Sequence, residues 1–491
     1  MCGIVGYVGS AGAGTSSRPS EVVLGGLSRL EYRGYDSAGI ARCGETEIEL
    51  FKASGKIQNL RDKLEGHQSS KARAAIGHTR WATHGGPSDT NAHPHLGGKN
   101  GEVALVHNGI IENFAALKKE LADDGYEFLS DTDSEVVAHL LARECETAES
   151  LTEAMRACVA HLEGAFTLLA IHEDNPDVIV AARRNSPLVV GLGEGENFLG
   201  SDVAAFVDHT KRAVEIGQDQ IVTVSAERVD VIEFDGTPVP EPKQYTIEWD
   251  AASAQKSGYP SFMAKEIHEQ AKAISDTLLG RLDNNEIVLD EMRIDPSHLR
   301  SIDKIIVVAC GTAANAGEVV KYAIEHWCRI PVEVELAHEF RYRDPIVHER
   351  TLVVAISQSG ETMDTLMAVR YAKEQGAKVL AICNTRGATI PRESDAAIYL
   401  HVGPEIAVAS TKAYLGQIAA CYLLGLFLAQ VRGNLYGDEI EAIMRDLEEI
   451  PGKIQEVLDR SGQVEKLARD MVDATSVLFL GRHVGFPTAL E

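Results

Sequence analysis

Met1-Cys2-Gly3-Ile4-Val5-Gly6-Tyr7-Val8-Gly9 opens the chain, and how it is read decides the fold of everything up to about residue 225. Gly3–Val8 is a continuous apolar run of strand length. The cysteine in front of it has chemistry that an interior cysteine lacks. Methionine before a small residue is expected to be removed, which leaves Cys2 with a free α-amine of ordinary pKa about 7.7–8.0. Such an amine can take the thiol proton near neutral pH, so nucleophile and base occur in one residue. The strand run would hold both groups rigidly. The competing reading is a small buried residue at a strand start.

The stretch after it repeats the same grammar. Ala104–His107, Phe166–Ile171, Val178–Ala182 and Gln220–Val224 read as strands, and Glu21–Leu30, Ile111–Asp123 and Ser134–Arg143 as helices. Gly85-Gly86-Pro87 and His107-Asn108-Gly109 read as tight turns. Strands in runs with grouped helices predict layered α+β packing over 2–227. From Phe234 to Ser261 prolines, glycines and serines sit among polar residues, which reads as a linker. A helix is expected over Phe262–Leu282.

Beyond it strands alternate with helices. Lys304–Ala309, Val332–Leu336, Thr351–Ile356, Lys378–Ile382 and Ala396–His401 are the strands; Ala313–Trp327, Met363–Gln375 and Thr411–Gln430 are the helices. This predicts an α/β domain over 289–430 with a doubly wound parallel sheet, whose ligand sits at the carboxyl ends of the strands. Residues 463–491 read as the start of another such unit, with a helix over Gln463–Val472 and a strand over Ser476–Leu480. One such unit cannot close a core alone.

Composition narrows the partners. The chain has 491 residues, with Lys+Arg 47 against Asp+Glu 73 and a formal net charge of −26. Nucleic acid and anionic membranes are therefore poor partners. No apolar run in the sequence approaches a spanning helix, and the N-terminus lacks a secretory pattern. The eight cysteines form no Cys-x-x-Cys pair and no zinc spacing, which argues for a reduced, cytoplasmic protein.

Ser357-Gln358-Ser359-Gly360-Glu361-Thr362 follows an apolar strand and precedes a helix. Backbone N–H groups, hydroxyls and the helix dipole favour an anion there without Lys or Arg. The same string could instead be an N-cap with a capping box.

Three strings then carry a resemblance: the opening nonapeptide, Glu31-Tyr32-Arg33-Gly34-Tyr35-Asp36-Ser37-Ala38-Gly39, and His78-Thr79-Arg80-Trp81-Ala82-Thr83-His84-Gly85. Together they resemble the class II glutamine amidotransferases, in the branch that aminates and isomerises fructose 6-phosphate. The resemblance implies an αββα N-terminal-nucleophile hydrolase sandwich. It makes Cys2 the nucleophile towards the glutamine side-chain amide, with Asn108 and Gly109 as the oxyanion hole. Arg80 would take the α-carboxylate and Asp133 the α-ammonium, while Asp131 and Ser134 remain N-cap candidates. Trp81 would be a lid or gate, with a core aromatic as its alternative; Thr83 and His84 line the same loop.

The second half resembles sugar isomerase (SIS) domains. By that resemblance Ser357, Gln358, Ser359 and Thr362 hold phosphate, and Cys310, Gly311, Thr312, Val408 and Ser410 contact the sugar. Ala313 stands where many relatives have a serine, so one hydroxyl contact is missing. No metal or organic cofactor is implied; L-glutamine and fructose 6-phosphate are the implied partners, in a homodimer formed through the SIS domains. The family's isomerase Glu, His and Lys lie beyond Glu491, so a chain ending there is expected to be competent only as a glutaminase. Glu491 itself matches a different, upstream glutamate. Rival amidotransferases that act on phosphoribosyl or ATP substrates lack their signature strings here. A non-enzymatic sugar-phosphate sensor is the rival of another class, and glutamine hydrolysis separates it.

Overall fold

Alternation along the first strand sets the layers. In β1 (Gly3–Gly9), Ile4 and Val8 face one core while Val5 and Tyr7 face another. The computed structural model describes residues 2–10, 18–31, 34–44, 47–67, 72–81, 85–247, 257–283, 285–289 and 292–491. It divides into two units, Met1–Ala254 and Gln255–Glu491.

In the first unit, β1 is central to a sheet with β2 (Ser37–Cys43), β3 (Ile48–Ser54) and β4 (Ala74–Arg80). A second sheet is built on β5 (His95–Gly97), β6 (Val103–Ile111), β7 (Gly164–His172) and β8 (Ile179–Arg184). The first sheet is completed by β9 (Val189–Leu192), β10 (Glu196–Gly200), β11 (Arg212–Glu215) and β14 (Gln244–Thr246), and the second by β12 (Gln220–Val224) and β13 (Val229–Glu233). Their orders are β14-β11-β9-β10-β1-β4-β2-β3 and β13-β12-β8-β7-β6-β5.

Ile4, Val8 and Ile76 of the first sheet pack on Val106, Leu169 and Ile171 of the second. On the outer face of the first sheet lie Val23 and Leu27 of α1 (Arg18–Leu30) and Leu60 of α2 (Ile57–Leu64). On the outer face of the second sheet lies α4 (Ser134–Cys145) through Val136, Val137 and Leu140, flanked by α3 (Phe114–Asp123) and α5 (Leu151–Val159). The result is the expected αββα sandwich.

Several boundaries move. Ile111 ends β6 instead of opening a helix, and α3 begins at Phe114. The Asn108-Gly109 pair is not a turn. It lies inside β6, paired with Thr167 and Phe166. The expected linker contributes an edge strand, because β14 pairs with β11; residues 248–256 lie outside the described residues.

The second unit opens with α6 (Phe262–His268) and α7 (Gln270–Leu278) in place of one helix. A short hairpin of β15 (Leu282–Asp283) and β16 (Glu286–Ile287) and α8 (Pro296–Ser301) follow. The parallel sheet has the order β18-β17-β19-β20-β21, from β17 (Lys304–Ala309), β18 (Val332–Leu336), β19 (Thr351–Ser357), β20 (Lys378–Cys383) and β21 (Ala396–Tyr399). Helices α9 (Thr312–Cys328), α10 (Ala337–Phe340), α11 (Met363–Glu374), α12 (Thr389–Glu393) and α13 (Lys412–Arg432) follow strands at their carboxyl ends. That is the doubly wound arrangement expected.

The expectation of no span-length apolar run is corrected by α13, which has 21 residues and a window of mean hydropathy 1.6. Its Ala420, Leu423 and Leu424 are buried in the core with Val320 and Ile324 of α9, so its apolarity goes into packing. The chain ends with α14 (Gly437–Glu448), α15 (Ile450–Asp459), α16 (Ser461–Asp470) and α17 (Gly485–Leu490). Ser476–Leu480 is not a strand; Leu478, Phe479 and Leu480 are exposed and join no sheet edge among the described residues.

Candidate active site

Cys2 stands just before β1, and Trp81 just after β4, where the antiparallel register Gly3–Thr79 brings the two ends together. The Cys2 Sγ accepts the Trp81 backbone N–H at 3.1 Å and lies 3.5 Å from the Trp81 carbonyl oxygen. Burial pushes the Cys2 thiol up; the Trp81 N–H and the Arg80 charge act in the opposite direction.

Asn108 arrives from the second sheet. Its Nδ2 donates to the Cys2 carbonyl at 2.9 Å, and its Oδ1 faces His78 Nε2 at 3.0 Å. Those two partners select one orientation of the amide, with His78 donating. Gly109 follows with φ +129°, a backbone that side-chain-bearing residues rarely adopt. A Cβ there would also run into the Ala165 carbonyl. Residues 103–108 of β6 are buried and 109–110 surface, so the strand emerges at the glycine beside Cys2's partner.

Arg80 and His78 lie two apart in β4 and share a face. Arg80 is buried and donates to the carbonyls of Gly85 at 3.0 Å and Gly86 at 3.4 Å. Burial pulls its pKa down, and the charges of Cys2, Asp133 and Asp36 push it back up. The Asp133 carboxylate is buried and accepts the Ile111 N–H at 2.9 Å. Asp133 thus bridges the start of α4 to the end of β6.

Capping falls out differently from the sequence expectation. Asp133 holds the N-cap position but directs its carboxylate to β6, and Ser134 is the first helical residue. The Ser134 hydroxyl meets the His107 ring at 2.8 Å. The Asp131 N–H donates to Asn91 Oδ1. Trp81 is 43% exposed and packs edge-on to Tyr35 at 5.4 Å, which rules out the core-aromatic alternative. Thr83 and His84 lie outside the described residues.

Sequence reasoning misses a histidine shell. His78 stacks on His93 at 4.2 Å; His93 Nδ1 accepts the His107 N–H at 3.2 Å. Burial pulls His78 down to about 3, so it is neutral at working pH and serves as a fixed donor to Asn108. The available signal is spacing: His78 stands two before Arg80 in a strand, on the same face.

In the second unit the phosphate-loop candidates gather at the end of β19. Ser357 Oγ is 3.0 Å from Thr362 Oγ1 and accepts the Gly360 N–H at 3.1 Å; Ser359 Oγ accepts the Glu361 N–H at 3.2 Å. Thr362 is the N-cap of α11, but its hydroxyl turns to Ser357 and not to the helix, against the capping-box alternative. Gly360 has φ +69°, and a Cβ would lie 2.6 Å from both Cys383 Sγ and Ala388 Cβ. The Gln358 carbonyl accepts the Asn384 N–H and ties the loop to β20.

The sugar-contact candidates are less uniform. Cys310, Gly311 and Thr312 lie at the end of β17, and the Thr312 hydroxyl donates to Glu491 at 2.6 Å. Ser410 donates to Glu405 at 2.8 Å, and the same carboxylate takes the N–H groups of Thr411 and Ala413 at the start of α13. Val408 is 70% exposed. Lys412 is buried in an ion pair with Glu269 at 2.7 Å, which makes it a structural residue.

The first unit has the fold of an N-terminal-nucleophile glutamine amidotransferase and the second that of a sugar isomerase domain. The glutamine amidotransferase domain family matches residues 78–208, and the SIS domain family matches 298–426. Glutamine–fructose-6-phosphate aminotransferase (isomerizing) of Corynebacterium efficiens is 62% identical over all of this chain and 79% of its own length. The Streptomyces coelicolor protein of the same name is 61% identical, with the same coverage. The solved C-terminal domain of glucosamine-fructose-6-phosphate aminotransferase from Francisella tularensis is 38% identical over 48% of this chain and 67% of that one, with a TM-score of 0.47. The chain belongs to the glutamine–fructose-6-phosphate aminotransferase (isomerising) family.

Proposed function

We propose that the protein releases ammonia from L-glutamine at Cys2 and transfers it to fructose 6-phosphate, forming glucosamine 6-phosphate, in the cytoplasm and as a homodimer. The observation that carries the glutaminase half is the convergence of Cys2, Asn108, Arg80 and Asp133 from β1, β6, β4 and α4. Cys2 Sγ attacks the side-chain amide carbon. The oxyanion that develops is taken by Asn108 Nδ2 and the Gly109 N–H, and Arg80 and Asp133 hold the carboxylate and ammonium of the amino acid. The α-amine of Cys2, freed by loss of Met1, accepts the thiol proton and returns it to the leaving ammonia.

The sugar half draws support from the hydroxyl cluster Ser357, Ser359 and Thr362 at the N-terminus of α11, where a phosphate would be held by neutral donors. Gln358 belongs to the same cradle, and Cys310, Gly311, Thr312, Val408 and Ser410 would contact the sugar. The test is an assay with glutamine and fructose 6-phosphate, following glutamate and glucosamine 6-phosphate separately. Cys2→Ala should abolish glutamate release. A parent protein that binds sugar phosphate but never hydrolyses glutamine would overturn the reading in favour of a sensor.

A further inference from the structure

Three side chains far apart in sequence meet at the carboxyl edge of the parallel sheet. Cys310 ends β17, His338 lies in α10 after β18, and Asp364 lies in α11 after β19. Cys310 Sγ is 3.8 Å from His338 Nδ1, and one ligand atom from each of the three lies within 4.8 Å of the others. We propose that Cys310, His338 and Asp364 form a binding site for a soft divalent cation, with zinc as the best fit.

The chemistry of the set supports this choice. Thiolate, imidazole and carboxylate are the zinc donors, at bond lengths of about 2.3 Å to sulfur and 2.0–2.1 Å to nitrogen. Tetrahedral angles at those lengths put S and N about 3.6 Å apart. The observed separation therefore needs a shift of only a few tenths of an ångström. His338 and Asp364 are exposed and Cys310 half-buried, so small rotations of two surface side chains complete the geometry around one anchored by its strand. Three protein ligands leave a fourth position open to water or a small ligand. A hard cation such as magnesium prefers all-oxygen ligands and is disfavoured by the thiol.

Sequence spacing could not reveal the set, because its members are supplied by three successive strand–helix junctions. The proposal stands on donor chemistry and geometry and does not depend on the sugar assignment.

The test uses the full chain carrying Cys2→Ala, so that the N-terminal thiol does not compete for metal. Cobalt(II) should bind once per chain, with a sulfur-to-cobalt charge-transfer band and the visible bands of a tetrahedral site, and zinc should displace it. Cys310→Ala should remove the charge-transfer band, and His338→Gln should weaken binding at least about tenfold. Zinc should slow alkylation of Cys310 at least about tenfold in the parent and far less in Asp364→Asn. Circular dichroism and the conservative Cys310→Ser variant check that a loss is not unfolding. Absence of metal binding in the parent, an unchanged band in Cys310→Ala, or unchanged affinity in His338→Gln would each overturn the proposal.

Discussion

Replacing Asn108 by alanine tests the glutaminase site where its geometry is tightest. The side chain makes two bonds, to the Cys2 carbonyl at 2.9 Å and to His78 at 3.0 Å, and in the proposed reaction its amide also meets the oxyanion. Loss of one oxyanion donor costs about 100- to 1,000-fold in kcat, or about 2.7–4 kcal/mol. Arg80 and Asp133 are untouched, so KM should stay within about threefold of the parent. The variant also strands the His78 ring and the Cys2 carbonyl without their partner. Each buried polar group so stranded costs about 1–3 kcal/mol of stability. Glutamate release, with kcat and KM resolved, is the assay, and urea unfolding confirms that the variant is folded where it is assayed. A folded Asn108→Ala with kcat within about threefold of the parent would refute the oxyanion role and leave Asn108 as a structural link between the sheets.

Gly360→Ala forces a Cβ to 2.6 Å from Cys383 Sγ and Ala388 Cβ at a positive φ; it should cost about 1–3 kcal/mol in urea unfolding and weaken sugar-phosphate binding. Glu135 is buried, and although burial opposes its charge, the His139 ring 3.8 Å away and hydrogen bonds from the Leu129 N–H and the Ser130 N–H and hydroxyl prevail and hold it at about 2 against an ordinary 4.5. Its ionisation therefore stabilises the fold above about pH 4.5, and that contribution, up to about 3 kcal/mol, is lost as pH falls towards 2. Glu135→Gln should show a flatter acid limb in stability against pH. Lys412→Ala leaves Glu269, among the described residues, with only the longer Lys265 ion-pair contact at 3.4 Å. Because Glu269 is partly exposed, the loss in urea unfolding should be about 2–3 kcal/mol, below the 3–5 kcal/mol of a fully buried pair.

Much of this is legible because the chemistry is written locally. The apolar run Gly3–Val8 gives β1, the β/α rhythm after Lys304 gives the parallel sheet, and Cys2 and Arg80 stand in strings that carry the family resemblance, and with it the tasks proposed for them and for Asp133. What escapes depends on residues distant in sequence. Asn108-Gly109 has turn chemistry, but pairing with Thr167 and Phe166 overrides it and puts a positive-φ glycine inside a strand. N-cap reasoning fails in the same way at residues 130–135, where the Asp133 carboxylate is drawn across to the Ile111 N–H.

Apolar content also misleads in both directions. Lys412–Arg432 is as apolar as a spanning helix yet buried among its neighbours, and Ser476–Leu480 has strand composition but pairs with no edge. His78 offers only its spacing from Arg80 as a signal, and its role shows once its ring is seen against Asn108. The trio of Cys310, His338 and Asp364 is invisible to any spacing rule, since three separate strand–helix junctions bring it together.

In the proposed reaction Cys2 is the nucleophile, held by β1 and β4 with its partners from β6 and α4. Intact-mass and peptide mapping after exposure to a glutamine-like electrophile tests it most directly. One adduct per chain is expected, on Cys2, blocked by excess glutamine and accompanied by complete loss of glutamate release. Labelling of another cysteine at the same rate, or full glutaminase activity in a chain modified at Cys2, would contradict it.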